Sequence, residues 1–141
     1  MEQVITNSPA ETEAVGERLG NRLLPGDVIA FEGGLGMGKT VFVRGVARGL
    51  GSDAEVTSPT FALINEYRGG RLNLCHMDAY RLSGPGDLPT TGFYDYLDAG
   101  WICAVEWGER VAPALHAAYT VTIDRVDDDS RKISIRGRDE C

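Results

Sequence analysis

The chain has 141 residues, which is the length of one ordinary domain and is too short for two. Its hydrophobic (43%) and charged (25%) fractions are those of a globular protein, and no apolar run approaches the roughly 20 residues of a membrane helix. The formal net charge of -7 disfavours a broad nucleic-acid-binding surface. These values predict a single globular domain over residues 1–141 that is not embedded in a membrane.

The cysteines and the N-terminal residues indicate the cellular location of the protein. Cys75, Cys103 and Cys141 show neither a CxxC pair nor a zinc-like spacing. Residues 1–7 lack the basic and apolar blocks of a secretory signal. An odd number of cysteines without a pairing pattern predicts buried or idle thiols in a reducing cytoplasm, and we therefore expect a cytoplasmic protein.

The first half of the chain predicts a helix, a buried strand and a second helix. Ser8-Pro9-Ala10-Glu11 is a capping box with proline at the first helical position, and apolar residues then recur every four positions. Residues 28–31 form a short branched apolar run, typical of a strand buried on both faces. After a glycine-rich loop, helical spacing of apolar residues begins at Lys39 and ends at Gly51.

The second half predicts mainly strands, over residues 61–67, 72–78, 101–105, 119–123 and 132–136. The first two are joined by Arg68-Gly69-Gly70-Arg71 and are expected to pair antiparallel. Residues 83–91 hold glycines and prolines and indicate a loop, whereas the aspartates at 127–129 indicate a solvated turn. The alternation of strands and helices predicts an α/β fold.

A phosphate-binding loop is the strongest chemical signal in the sequence. Gly33-Gly34-Leu35-Gly36-Met37-Gly38-Lys39-Thr40 fits the pattern G-x-x-x-x-G-K-[ST]. In this pattern, backbone N–H groups and the helix dipole hold the phosphates, Lys39 reaches the terminal phosphates, and the Thr40 hydroxyl ligates Mg²⁺. A shuffled chain of this composition would contain the pattern with a probability of roughly three in a thousand.

Two carboxylates end apolar runs, as the acidic partner of a phosphate loop usually does. Asp78 ends the run 72–77, and Glu106 ends the more apolar run 101–105. The second run favours Glu106 as the metal ligand and leaves Asp78 to position or activate a water molecule. The alternative, that one of them is an ordinary strand-end carboxylate, remains open.

Three further residues have both a functional and a structural interpretation. Thr60 lies in a polar turn and is either a switch residue that senses the terminal phosphate or an ordinary loop threonine. Trp107 follows Glu106 and either stacks near the nucleotide or serves as a core or surface residue. His76 alternates with apolar neighbours and has no evident partner, so we interpret it as structural.

The order of these segments resembles the TsaE family, formerly called YjeE, the small P-loop ATPases of bacterial tRNA threonylcarbamoyladenosine synthesis. The resemblance rests on four segments at this spacing: Gly36-Met37-Gly38-Lys39-Thr40, Ser58-Pro59-Thr60, His76-Met77-Asp78-Ala79-Tyr80-Arg81-Leu82 and Val105-Glu106-Trp107. It implies a P-loop NTPase-like fold with a mixed parallel and antiparallel sheet flanked by helices.

The resemblance also implies site residues and partners. ATP would be bound by Gly36, Met37, Gly38, Lys39, Thr40, Val41 and Trp107, with Mg²⁺ held by Thr40 and Glu106, and with catalytic roles for Thr60, Asp78 and Glu106. Members of the family are weak ATPases alone and act with TsaD and TsaB, in which TsaD modifies the adenosine beside the tRNA anticodon. We therefore expect partner-stimulated ATP hydrolysis and only indirect contact with tRNA.

Three other functions are compatible with a phosphate-binding loop. A GTPase would carry an N-K-x-D motif, which the chain lacks. A small-molecule phosphotransferase would use the same loop but needs a lid with several arginines, and only Arg81 and Arg110 lie near the motifs. A noncatalytic, ATP-gated binding module is the third alternative.

The sequence does not single out the residues that contact adenine, and Ser8, Thr12 and Arg131 are the candidates.

Overall fold

The computed structural model describes residues 1–32, 38–52 and 64–137. The described strands are β1 (Glu2–Thr6), β2 (Val28–Phe31), β3 (Ile64–Tyr67), β4 (Leu74–Asp78), β5 (Ile102–Glu106), β6 (Tyr119–Arg125) and β7 (Arg131–Gly137). The described helices are α1 (Pro9–Arg22), α2 (Lys39–Gly49), α3 (Phe93–Asp98) and α4 (Ala112–Leu115), with 3₁₀ turns at Pro85–Thr91 and Gly108–Arg110.

The described strands form one seven-stranded sheet in the order β1-β7-β6-β2-β5-β4-β3. The four inner strands β6, β2, β5 and β4 are parallel, and the pairs β1–β7, β7–β6 and β4–β3 are antiparallel. The predicted mixed sheet is therefore confirmed. Because the parallel strands share one direction, the carboxyl ends of β2, β5 and β4 meet at the same edge.

Helices α1 and α2 pack together on one face of the sheet, and glycines bring them close. The predicted cap is confirmed: the Ser8 hydroxyl accepts a hydrogen bond from the Glu11 N–H at 3.2 Å. A Cβ added to Gly16 would lie 2.2 Å from a carbonyl oxygen of α2, and one added to Gly45 would lie 2.0 Å from a carbonyl oxygen of α1. Backbone contacts backbone at these positions, which fixes the start of α2 relative to α1.

The other face of the sheet is covered by short elements that sequence patterns did not reveal. Residues 85–91, predicted to be loop, form a 3₁₀ turn, and α3 and α4 were not predicted. These elements bury Leu88, Phe93 and Leu115 against β2, β4 and β5. Their helices have only six and four residues, which is too short for a helical repeat of apolar residues to show.

Strand β1 was also missed, because it is an edge strand whose apolar pattern is inverted. Ile5 is 52% exposed, whereas the neighbouring Thr6 is buried and its hydroxyl hydrogen-bonds that of Thr12 at 2.7 Å. Antiparallel pairing with β7 holds the strand in place. No helix of the described part of the chain is long and apolar enough to cross a membrane.

Cys75 and Cys103 are both buried free thiols and lie directly opposite each other on β4 and β5. A hydrogen bond with the Cys103 thiol, together with burial, raises the pKa of Cys75. The raised pKa disfavours the thiolate, which is the nucleophilic form of cysteine. This agrees with the prediction that these cysteines are idle thiols, whereas Cys141 lies outside the described residues.

Candidate functional site

The two predicted carboxylates end neighbouring parallel strands. Asp78 is the last residue of β4 and Glu106 the last residue of β5, and the two are register partners. The ladder continues one step beyond them, where the Ala79 N–H donates to the Glu106 carbonyl oxygen at 2.9 Å. The pair therefore lies at the sheet edge where open α/β sheets bind ligands.

Lys39 begins α2 and is only 3% exposed. The preceding Gly38 has a left-handed backbone with φ of 108°, a conformation that glycine adopts without steric cost. Burial lowers the pKa of Lys39, and the charges of Glu106, Glu109 and Asp78, in that order, oppose this shift. The structure thus brings the predicted phosphate-binding lysine into the field of both predicted carboxylates and of Glu109.

Glu106 is buried and has a partner that sequence reasoning missed. The Nε2 atom of His76 lies 2.8 Å from the Oε2 atom of Glu106, and the two side chains are 0% and 6% exposed. The expectation that His76 has no partner is therefore wrong. The sequence does contain a signal for the position of His76. Side chains two residues apart on a strand share a face, so His76 lies on the same face of β4 as Asp78.

Asp78 is half-buried, and one of its oxygens is held by the local backbone: the Tyr80 N–H donates to Oδ1 at 2.9 Å. Trp107 has a left-handed backbone with φ of 59° and turns its ring towards Tyr80, at 5.0 Å between ring centroids. The Arg110 guanidinium covers both rings, 4.8 Å from that of Tyr80 and 5.6 Å from that of Trp107. A cation and two aromatic rings thus cluster in the segments that follow β4 and β5.

A cavity of about 440 Å³ borders the first turn of α2, and we call it the helix cavity. Its lining includes Ser8, Thr12, Gly38, Val41 and Arg131. The three residues that the sequence offered as adenine contacts, on α1 and β7, thus line one space beside Gly38. Its volume falls within the range of pockets that bind small ligands.

A second cavity, of about 460 Å³, borders the other side of the strand ends, and we call it the strand-end cavity. Its lining includes Glu32, Glu109, Leu115, His116 and Arg136. Glu32 and Arg136 form an ion pair at 3.9 Å between exposed side chains. This cavity shares Glu109 with the surroundings of Lys39.

The two predicted magnesium ligands, Thr40 and Glu106, are oxygen donors at the start of α2 and at the end of β5. Thr40 and Val41 are half-buried in the first turn of α2, whereas Gly36, Met37 and Thr60 lie outside the described residues. Within residues 1–32, 38–52 and 64–137, no three His, Cys, Asp or Glu side chains form a cluster that would hold a metal alone. Mg²⁺ bound with phosphates needs only one or two protein oxygens, and the Thr40 hydroxyl and the Glu106 carboxylate are donors of this kind.

Comparison with a solved structure defines the class of protein. The crystal structure of Bacillus subtilis YdiB aligns with a TM-score of 0.73 and 35% sequence identity, over 96% of this chain and 84% of that chain. With its mixed sheet and the site at the strand ends, the chain has a P-loop NTPase-like α/β fold.

Residues 6–133 match the sequence profile described as "Threonylcarbamoyl adenosine biosynthesis protein TsaE". A tRNA threonylcarbamoyladenosine biosynthesis protein TsaE from Treponema pallidum (strain Nichols) is 42% identical over 133 residues, which are 93% of this chain and 97% of the relative. The protein of the same name from Bacillus subtilis (strain 168) is 39% identical over 130 residues, 92% of this chain and 81% of the relative. The chain belongs to the TsaE family, and its role lies in threonylcarbamoyladenosine biosynthesis.

Proposed function

We propose that the chain binds ATP with Mg²⁺ and hydrolyses it, weakly alone and faster with TsaD and TsaB. In this way it would support modification of the tRNA adenosine beside the anticodon in the cytoplasm. The proposal is carried by one observation: Lys39 begins a helix beside the carboxyl ends of parallel strands that end in Asp78 and Glu106. An ammonium beside two carboxylates is suited to phosphate and metal chemistry.

The surroundings of Lys39 support phosphate binding that depends on a divalent cation. Three carboxylates act electrostatically on Lys39, namely those of Glu106, Glu109 and Asp78. Negative charges therefore outnumber the positive charge of Lys39. Such an excess opposes a triphosphate unless a divalent cation enters with it. Bound Mg²⁺ would neutralise negative charge on the phosphate oxygens and so assist the displacement of ADP from the terminal phosphoryl group. Thr40 and Glu106 are the residues that we propose hold it.

The roles of the remaining residues follow from their positions. Lys39 would contact the terminal phosphates, and Asp78, with Oδ1 held by the Tyr80 N–H, would direct its other oxygen to an attacking water molecule. The helix cavity would take the nucleoside, since it opens at Gly38 and Val41 and is lined by hydroxyl groups and Arg131. Trp107, Gly36, Met37 and Thr60 keep the roles that the resemblance implies.

Partner dependence rests on the family and on the arginines near the site. Arg110 is exposed and lies over two aromatic rings. The guanidinium of Arg110 is thus engaged by Tyr80 and Trp107. On this basis, and from the family, we propose that full ATP turnover requires the partner. The net charge of -7 is consistent with a protein that reaches tRNA through other proteins.

ATP turnover measured with and without purified TsaD and TsaB tests the proposal. We expect slow, Mg²⁺-dependent release of phosphate from the protein alone and a marked increase with the pair. Phosphate transfer to a small acceptor without any effect of the pair would indicate a phosphotransferase instead. ATP-dependent assembly with no hydrolysis under any condition would indicate a noncatalytic binding module.

Lys39→Ala is the matching variant for the nucleotide site. Hydrogen bonds to charged groups contribute about 1.5–3 kcal/mol each, so loss of the ammonium should weaken ATP binding by about 100-fold. Lys132→Ala is the control, because Lys132 is the other lysine of the chain and lies on β7. Equilibrium titration with an ATP analogue measures both variants, and unchanged affinity in Lys39→Ala would contradict the proposed site.

A further inference from the structure

His76 and Glu106 form a buried pair, and the proposed function gives no role to His76. The strand ends explain the geometry: His76 is the register partner of Ala104, and Glu106 lies two residues further along β5 on the same face. The pair is therefore diagonal across two parallel strands. Its Nε2 to Oε2 distance of 2.8 Å is that of a hydrogen bond rather than a loose contact.

The other ring nitrogen of His76 identifies the tautomer. Within the described part of the chain, the buried Nδ1 atom of His76 has no hydrogen-bond partner. An N–H group at that position would be a buried donor without an acceptor, which is more costly than a bare lone pair. We therefore assign the proton to Nε2, from which it is donated to the Glu106 carboxylate.

Packing alone does not explain a histidine at this place. Its face of the sheet is lined by apolar side chains, with Leu74 two residues before it and Ala104 opposite, both fully buried. A leucine or methionine would fill such a position without leaving a polar atom unsatisfied. What histidine adds is one N–H donor directed at one oxygen of Glu106.

We propose that His76 is a positioning residue that orients the Glu106 carboxylate for the nucleotide-bound metal ion. This inference rests on the proposed role of Glu106 as a metal contact. By holding Oε2, His76 leaves Oε1 as the oxygen available to the cation and to Lys39. Residues that hydrogen-bond a metal ligand commonly alter metal affinity by 10–100-fold when they are removed.

Two amide variants separate the hydrogen bond from packing. In His76→Gln the side-chain NH₂ reaches about as far as Nε2, whereas in His76→Asn it ends at the level of Nδ1 and does not reach Glu106. The two variants introduce the same chemical group, so they differ mainly in reach. His76→Leu removes the donor altogether, and Glu106→Gln reports directly on the proposed metal contact.

The measurement is Mn²⁺ affinity of the ADP-loaded protein by electron paramagnetic resonance, with ADP affinity in EDTA recorded separately. We expect His76→Asn and His76→Leu to weaken Mn²⁺ binding by about 10–100-fold while His76→Gln stays within about threefold of the unsubstituted protein. ADP affinity in EDTA should not change. A purely structural role would lower thermal stability in all three variants and leave Mn²⁺ affinity intact.

The outcomes distinguish this inference from the proposed function. Weak Mn²⁺ binding in Glu106→Gln together with normal binding in His76→Leu overturns the role of His76 and leaves that of Glu106. Normal Mn²⁺ binding in Glu106→Gln overturns both. Failure of the unsubstituted protein to bind ADP or ATP overturns the proposed function, and the role of His76 with it.

Nitrogen NMR of the unsubstituted protein tests the same inference without relying on a variant that folds. The chain has two histidines, and the exposed His116 provides a reference that His116→Gln removes. We expect the ring of His76 to carry its proton on Nε2, with Nδ1 unprotonated. A proton on Nδ1 alone would leave Nε2 nothing to donate to Glu106 and would overturn the proposal.

Discussion

Among the described residues other than glycine, Trp107 and His116 have a left-handed backbone, with φ of 59° and 48°. The conformation costs about 1–2 kcal/mol for a residue with a Cβ atom. At Trp107 the turn directs the ring onto Tyr80, and the contacts of this ring with Tyr80 and Arg110 offset part of the cost. His116 is exposed and ends the short helix α4, where glycine is the usual residue.

His116→Gly should therefore stabilise the protein. Removal of the Cβ relieves the left-handed conformation, and after the added entropy of the unfolded chain we expect a gain of up to about 1 kcal/mol in the free energy of unfolding. Urea unfolding measures the gain as a higher midpoint at an unchanged slope. His116→Ala is the control, since it keeps the Cβ and should give no gain. Equal midpoints for the glycine and alanine variants would contradict the argument.

At the scale of elements, the contact between α1 and α2 links the fold to the site. A Cβ atom added to any of four glycines would lie 2.0–2.5 Å from a carbonyl oxygen of the other helix; these are Gly16 and Gly20 of α1 and Gly45 and Gly49 of α2. Ion pairs of Glu13 with Arg44 and Arg48 add to this contact at the surface. Because α2 begins with Lys39, a shift of α2 against α1 also displaces this lysine, which we propose binds phosphate.

Gly45→Ala should destabilise the protein although alanine favours a helix. Its Cβ would lie 2.0 Å from the Glu13 carbonyl oxygen, and no side-chain rotation relieves a clash with backbone. Overpacking of this kind costs about 1–3 kcal/mol, whereas the gain in helix propensity is at most about 1 kcal/mol. Thermal and urea unfolding measure the net loss, and weaker ATP binding should accompany it.

Gly86→Ala is the matched control for the helix contact. Nothing lies within 4 Å of a Cβ added to Gly86, so the same substitution meets open space. We expect its stability to be unchanged or to increase by a few tenths of a kcal/mol, because alanine restricts the unfolded chain. Equal losses in Gly45→Ala and Gly86→Ala would show that the close approach of the helices does not matter.

The elements also show how far the sequence predicts this structure. Elements with a clear pattern, such as α1, β2, α2 and β5, were predicted to within a few residues, because burial imposes a period on the helices and an unbroken apolar run on the inner strands. β1, α3 and α4 were missed, since an edge strand and helices of six and four residues need no such period. Tertiary contacts, rather than local preference, determine their structure.

The residues of the candidate site show the same difference between what sequence patterns predict and what tertiary contacts determine. Lys39, Asp78 and Glu106 were placed correctly at a helix start and at two strand ends, because those positions follow from the elements themselves. The contributions of His76 and Glu109 depend on which strands are neighbours and on where the turn after β5 points. Sequence spacing contains neither fact until the order of the strands is known.

At the scale of the whole molecule, exposed carboxylates make the stability sensitive to acid. Hydrogen bonds from Ser83 lower the pKa of Asp87 below its ordinary 3.8, and those from Asp129 and Ser130 lower the pKa of Asp127. The Tyr96 hydroxyl lowers the pKa of Glu66 below its ordinary 4.5. A lowered carboxyl pKa means that the folded state holds its proton less tightly than the unfolded state.

The sign of the pH dependence follows from these shifts. Their stabilising contributions are fully present above the unfolded pKa values of 4.5 and 3.8, and they are lost as pH falls through the lower pKa values of the folded state. Acid also neutralises the net charge of -7 down to the isoelectric point near 4.8, which relieves repulsion, and below that pH a net positive charge builds up and repulsion returns. A single pH profile therefore mixes local and global effects.

Asp87→Asn isolates the local effect, because it removes one titrating group and leaves the remaining charges in place. We expect the free energy of unfolding to fall between pH 6 and pH 3 by less in this variant than in the unsubstituted protein. Ser83→Ala should reduce the fall in the same direction, since it removes the hydroxyl that donates to Asp87. Urea unfolding at both pH values gives the comparison. A fall in Asp87→Asn as large as that of the unsubstituted protein would mean that the global charge, and not the Ser83 hydrogen bonds, governs the acid response.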